Sequence, residues 1–174
     1  MSEMIEMIPL VGVNIGSKEV CFGDTKEKIV EKLGAPQSIQ EGNYYYFNNE
    51  LRVDFDQQGR ATFIEFLAGV DGNIQPQIYG VAAFQTEADS LYELLKSKNS
   101  GEVDDTENGY CYSFLNISVG VYREQTPVDV QAMIESAKEE GEPMADEDIQ
   151  YEMKKANHWD TIGFGVRGYY CGKN

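Results

Sequence analysis

Residues 54 to 65 carry the side-chain types that calcium chemistry uses. Asp54, Asp56, Gln58, Gly59, Thr62 and Glu65 stand at positions 1, 3, 5, 6, 9 and 12 of an EF-hand loop. A hard cation wants oxygens at those positions, a glycine at the sharp bend and a bidentate glutamate to close the shell. Such a loop needs a helix on each side, whereas both flanks here alternate apolar and polar residues as strands do. A β-hairpin accounts for the same residues, with Gly59 in the left-handed position of its turn. The expectation is a hairpin with no metal and no cofactor.

Nucleophilic catalysis needs a base beside its nucleophile. His158 is the chain's one histidine, and Cys111 or Cys171 would have to be its partner. Next to Trp159, at the start of a strand, it reads instead as a packing or surface residue. Cys21, Cys111 and Cys171 form no CxxC pair, so neither a zinc knuckle nor a redox motif is written. Gly163, Gly165 and Gly168 fall within a strand pattern, not ahead of a helix, and make no phosphate loop. Among 30 acidic residues some pair always lies close in sequence, which identifies no acid–base couple. No residue is assigned to catalysis, and the reading is of a protein that is not an enzyme.

The elements around these residues are written twice. Phe22-Gly23-Asp24 opens a helical pattern with Ile29, Val30 and Leu33 as its apolar positions, and 62 residues later Phe84-Gln85-Thr86 opens another with Leu91, Tyr92 and Leu95. Tyr44 and Tyr46 answer to Tyr110 and Tyr112. Leu51, Val53 and Phe55 answer to Ile117, Val119 and Val121, and Ile64 and Phe66 to Ile162 and Phe164. Each copy reads as a short leading strand, a helix and three strands, and a repeat on this scale governs the fold. Asp24-Thr25-Lys26-Glu27 has capping-box form, while Gly34 and Pro36 stop the first helix. The predicted architecture is α+β: two tandem helix-plus-antiparallel-sheet repeats, 10–70 and 78–174, forming a curved sheet with helices on one face. Where the first repeat has its Gly59 turn, the second carries a helical insertion, 126–157. It opens at Thr126-Pro127, breaks at Gly141, and returns to a strand over 160–170.

Alternation then sorts the sheet's two faces. Positions apolar in both copies should face the helices. The first copy's outward set is Tyr45, Phe47, Arg52, Asp54, Phe63 and Glu65; the second copy's is small, Cys111, Ser113, Ser118, Gly120, Thr161 and Gly163. An aromatic and charged patch beside a hollow of small residues suits a protein-binding surface, with Tyr45, Phe47 and Phe63 as solvent-accessible anchors. The other outcome is that the insertion helices fold over this face and bury it.

Charge narrows the partner. With 14 Lys+Arg against 30 Asp+Glu, the net charge is −16. Such a chain repels nucleic acid and anionic lipid and is drawn to a basic protein. The same charge also serves solubility alone. The first residues, MSEMIEMIPLVGV, form neither a secretory signal nor a membrane span, and unpaired cysteines fit a reducing compartment, so the expected location is cytoplasmic.

The doubled plan, with the opening IGSKEVCFGDTKEKIVEKLGAP (15–36), resembles the β-lactamase-inhibitory-protein fold, in which two such repeats form one curved sheet that clasps a target. VDFDQQGRATFIEF (53–66) and WDTIGFGVRGYY (159–170) are similar to strings in uncharacterised bacterial proteins, some of them immunity proteins against toxins. The likeness covers most of the chain outside 126–157 and carries no functional residue across. It implies a non-enzymatic immunity or inhibitor-type protein that blocks a basic partner such as a toxin. The alternative is an α+β enzyme or small-ligand-binding protein whose pocket lies between the sheet and the insertion helices.

Overall fold

The computed structural model describes residues 3–172. The chain opens with three short strands, β1 (Ile5–Ile8), β2 (Gly12–Ile15) and β3 (Lys18–Cys21), and helix α1 (Lys26–Leu33). Strands β4 (Ser38–Gln40), β5 (Asn43–Tyr46), β6 (Leu51–Phe55) and β7 (Ala61–Phe66) complete the first repeat. The second has β8 (Gln77–Ile78), β9 (Val81–Ala82), α2 (Ala88–Asn99), β10 (Val103–Asp104), β11 (Cys111–Phe114) and β12 (Val119–Tyr122). Helices α3 (Pro127–Glu139) and α4 (Asp146–Ala156) precede the last strand, β13 (Thr161–Gly165). The class is α+β, with two open sheets in the orders β3-β2-β1-β8-β9 and β10-β11-β12-β13-β7-β6-β5-β4.

The eight-stranded sheet is built about a pseudo-twofold axis. At its centre β13 pairs antiparallel with β7, setting Ile162 opposite Phe66, Gly163 opposite Glu65 and Phe164 opposite Ile64. Exchanging the repeats exchanges Ile64 with Ile162 and Phe66 with Phe164, so the pairings on either side of Glu65–Gly163 map onto one another. Outside the centre the sequence correspondence needs a shift of two residues. Tyr44 pairs with Val53 as Tyr112 pairs with Val121, and Tyr46 with Leu51 as Phe114 with Val119. Tyr112 therefore matches Tyr44, Val121 matches Val53, and Tyr110 lies before the strand. A shift of two keeps side-chain parity, which is why the inner face was still recognisable.

That inner face is buried under α1, α2 and the five-stranded sheet. Ile29, Leu91 and Leu95 from the helices join Ile5, Met7, Val13, Ile15 and Ile78 in one core with Leu51, Val53, Ile64, Phe66, Val119, Val121, Ile162 and Phe164. The five-stranded sheet exceeds the predicted leading strands: β1, which lies ahead of the first repeat's expected start, pairs with β2 and runs parallel to β8, so it joins the two repeats.

Local signals mostly hold, with some corrections. Thr25, not Asp24, caps α1 by accepting from the Lys28 N–H. The Asp24 carboxylate instead accepts from the Cys21 N–H and from Lys32 Nζ, each within 2.9 Å. Residues 54–65 form the β6–β7 hairpin, with Gly59 at φ 74°. The Asp56 carboxylate accepts from the Gln58 and Arg60 amides, and the Lys26 N–H donates to the Gly59 carbonyl, so the turn is closed from within and tied to the start of α1. At the equivalent place in the second repeat, the Thr126–Asp129 capping box starts α3. Helices α3 and α4 close on their own small cluster of Val130, Ile134 and Ala156. The last predicted strand is too long: β13 ends at Gly165 and residues 167–172 form tight turns.

Candidate functional site

The outward side of the eight-stranded sheet can be read as a row through the register. Ser38, Tyr45, Arg52, Glu65, Gly163, Gly120, Ser113 and Asp104 lie opposite one another in succession. A second line pairs Asp54 with Phe63 and Phe63 with Gly165, and a third pairs Thr161 with Tyr122 and Tyr122 with Cys111. Of the six residues read from the sequence, Tyr45, Arg52, Asp54, Phe63 and Glu65 are therefore brought onto this one face.

Phe47 is not among them. It follows the end of β5 and begins a run of three left-handed residues, with φ 53° at Phe47, 55° at Asn48 and 64° at Asn49. That turn is fastened by hydrogen bonds from Gln37 to Asn48 and from Ser38 to Asn49. Strand parity is lost at the reversal, so Phe47 packs partly against the core and borders a cavity of about 320 Å³ with Ile5, Ile15 and Ile74.

Phe63 points outward but is not accessible: it is only 5% exposed. Its cover is neither helix of the insertion. The chain turns back after Gly165 and lays Tyr169 flat on Phe63, with ring centres 4.4 Å apart and planes 10° from parallel. Tyr170 continues across the second repeat, its hydroxyl donating to the Gly163 carbonyl at 3.3 Å. The small residues make room for these rings. A Cβ added at Gly120 would stand 2.4 Å from the Tyr170 hydroxyl, and one at Gly165 2.7 Å from Tyr169 Cγ. The predicted hollow exists, and the chain's own C-terminal tyrosines fill part of it. Ser118, expected outward, is buried in the turn before β12 and donates to the Val166 carbonyl at 2.9 Å. Tyr169 and Tyr170 were not assigned to this face because 160–170 reads as one continuous alternating strand. The signal against that was Gly168, which takes φ 80°.

Electrostatics organise what remains. Arg52 Nε donates to Asp54 at 2.7 Å, and its Nη2 meets Glu65 at 3.0 Å. Its guanidinium also lies 5.7 Å over the Phe63 ring. Burial works against the charge on Arg52, but the Asp54 hydrogen bond and the two carboxylates outweigh it and hold its pKa above the ordinary value. Burial, then the charges of Glu107, Asp104 and Glu65, push the Cys111 thiol up. Burial also lifts the Tyr170 phenol well above its ordinary range, with Glu65 adding to the effect. Between these groups a groove of about 200 Å³ remains open, bordered by Arg52, Glu65, Cys111, Ser113, Tyr122 and Tyr170.

The other motifs are placed as follows. His158 follows the C-terminal end of α4, with Nδ1 against the Lys154 carbonyl, and the hydrogen bond found there goes to backbone and not to a cysteine. Among the described residues, no group of three or more His, Cys, Asp or Glu side chains is arranged to hold a metal ion. Asp54 and Glu65, the first and last residues of the calcium-like pattern, share Arg52 instead. Between α4 and the end of β12 a cleft of about 240 Å³ is bordered by Glu124, Glu152, Lys155 and Asp160. There the Asp160 carboxylate accepts from the Glu124 amide at 2.7 Å. No helix among the described residues is long and apolar enough to cross a membrane.

Sequence missed two further buried charges. Arg123 donates to the Gly109 carbonyl at 2.7 Å and to the Ala156 carbonyl at 2.8 Å, with its guanidinium 4.9 Å over Trp159. Glu50 accepts from the Asn73 and Ile74 amides and ties residues 69–74 to the β5–β6 turn. In sequence Glu50 reads as a hairpin-loop residue and Arg123 as the end of the strand 117–124, and only long-range contacts give them work. The chain matches no family model, no curated protein and no solved structure.

Proposed function

We propose that this is a non-enzymatic protein-binding module that holds a basic protein through the outward face of its eight-stranded sheet and the acidic surface around it. The observation that carries this reading is the row from Ser38 to Asp104. It runs across all eight strands on one side, and Arg52 is its one basic side chain, already engaged by Asp54 and Glu65. Together with a net charge of −16, this favours a cationic partner. The insertion helices stand at the end of the sheet, where Arg123 and the Tyr110–Asp129 hydrogen bond fix them, and leave Tyr122 43% exposed. The resemblance in sequence to β-lactamase-inhibitory and toxin-immunity proteins points the same way, to an inhibitor-type role in the cytoplasm.

The experiment is affinity capture at low ionic strength, followed by hydrogen exchange of the reconstituted pair. The expected partner is a basic protein that protects the outward strands β5, β6 and β12. An acidic partner, or protection confined to the cleft beside α4, would sink the reading.

A further inference from the structure

We propose that the groove on the outward sheet face is the seat of a single lysine or arginine side chain presented by a basic protein partner. This rests on the partner reading above and names the chemistry of its central contact. The groove, about 200 Å³, has room for a guanidinium or ammonium head and the methylenes behind it. Ser113 keeps its floor low, and Tyr122 and Tyr170, the latter seated over Gly120, stand at its sides. Aromatic faces attract cations through the negative face of the ring quadrupole, and more strongly where water is excluded. Glu65 supplies a carboxylate at one end.

The same face already holds one cation in this way. Arg52 lies between Asp54 and Glu65 with its guanidinium over Phe63, so carboxylate and ring together accept a guanidinium at the site's edge. A second cation is favoured because anions outnumber cations locally: Asp54, Glu65, Asp104 and Glu107 stand against Arg52. The negative potential reaches the groove itself, since Glu107, Asp104 and Glu65 all oppose ionisation of Cys111. An anionic group would meet those carboxylates, and an apolar one would desolvate them without compensation.

The test uses the full-length, isotopically labelled protein, titrated at low salt with hexa-arginine and, as control, hexa-serine. Saturable amide shifts centred on Ser113, Gly120, Tyr122 and Gly163 are expected with hexa-arginine alone. Tyr122→Ala, at an exposed ring, and Glu65→Gln should each weaken binding about five-fold or more, the scale of a lost cation–π or charge-assisted contact. Thermal melts check that both variants fold. Shifts confined to α3 and α4, with affinity unchanged in Tyr122→Ala, would overturn the groove and leave the basic-partner reading standing. Equal shifts with hexa-serine would overturn the requirement for a cation. No saturable binding of hexa-arginine anywhere would overturn the groove and also remove the acidic surface as support for the partner reading.

Discussion

Phe63 sits on the outward side of β7 and is nonetheless almost sealed from water, at 5% exposure. Its seal is Tyr169, stacked 4.4 Å away, and Arg52 lies over the ring. Removing a ring so enclosed leaves a cavity, so Phe63→Ala should cost roughly 3–5 kcal/mol of folding free energy, measured by urea unfolding. The C-terminal turn should also loosen and become more open to limited proteolysis. A change near zero would mean that Tyr169 does not hold its place and that Phe63 is an exposed anchor after all. Arg52, Asp54 and Glu65 could be put on one face by alternation alone, since parity within a strand is a local property. The burial of Phe63 could not, because the covering ring lies 106 positions along the chain.

At the scale of elements, the insertion is the part of the fold that stands most apart. Helices α3 and α4 close on Val130, Ile134 and Ala156, a cluster separate from the main core. Arg123 fastens them by bonding the Gly109 and Ala156 carbonyls. Hydrogen exchange should therefore find α3 and α4 opening well before β7 and β13, as segments with few core contacts do. Arg123→Gln should lower that local opening energy by about 1–3 kcal/mol, because buried carbonyls lose their donors. Exchange at one uniform rate across both regions would show the insertion to be part of the cooperative core. The insertion's limits were legible: Thr126 caps it, Pro127 takes the first helical position and Gly141 turns it at φ 79°. The cap of α1 was less so, because Asp24 and Thr25 both suit the role. Lys32 and the Cys21 amide claimed the aspartate, leaving the threonine to cap.

For the whole molecule, the charge of −16 acts at distances no single contact reaches. Long-range attraction speeds the encounter of opposite charges, and salt screens it over about 8–10 Å near physiological ionic strength. The association rate with a basic partner should fall steeply as salt rises, read by stopped-flow or surface-based kinetics. A rate indifferent to salt would return the charge to the role of keeping the chain in solution. The α+β class, the doubling, the helical insertion and the inner face of the large sheet can all be read from the residues in chain order. All of these follow from short-range periodicity, capping and turn chemistry, which each segment carries within itself. Packing between distant segments set the rest: the two-residue shift between the copies, the second sheet joined through β1 and β8, the inward turn of Phe47, and Tyr169 laid over Phe63. These depend on which distant segment reaches a surface first and fits it. Alternation tells a residue which way to point, but not what will be waiting there.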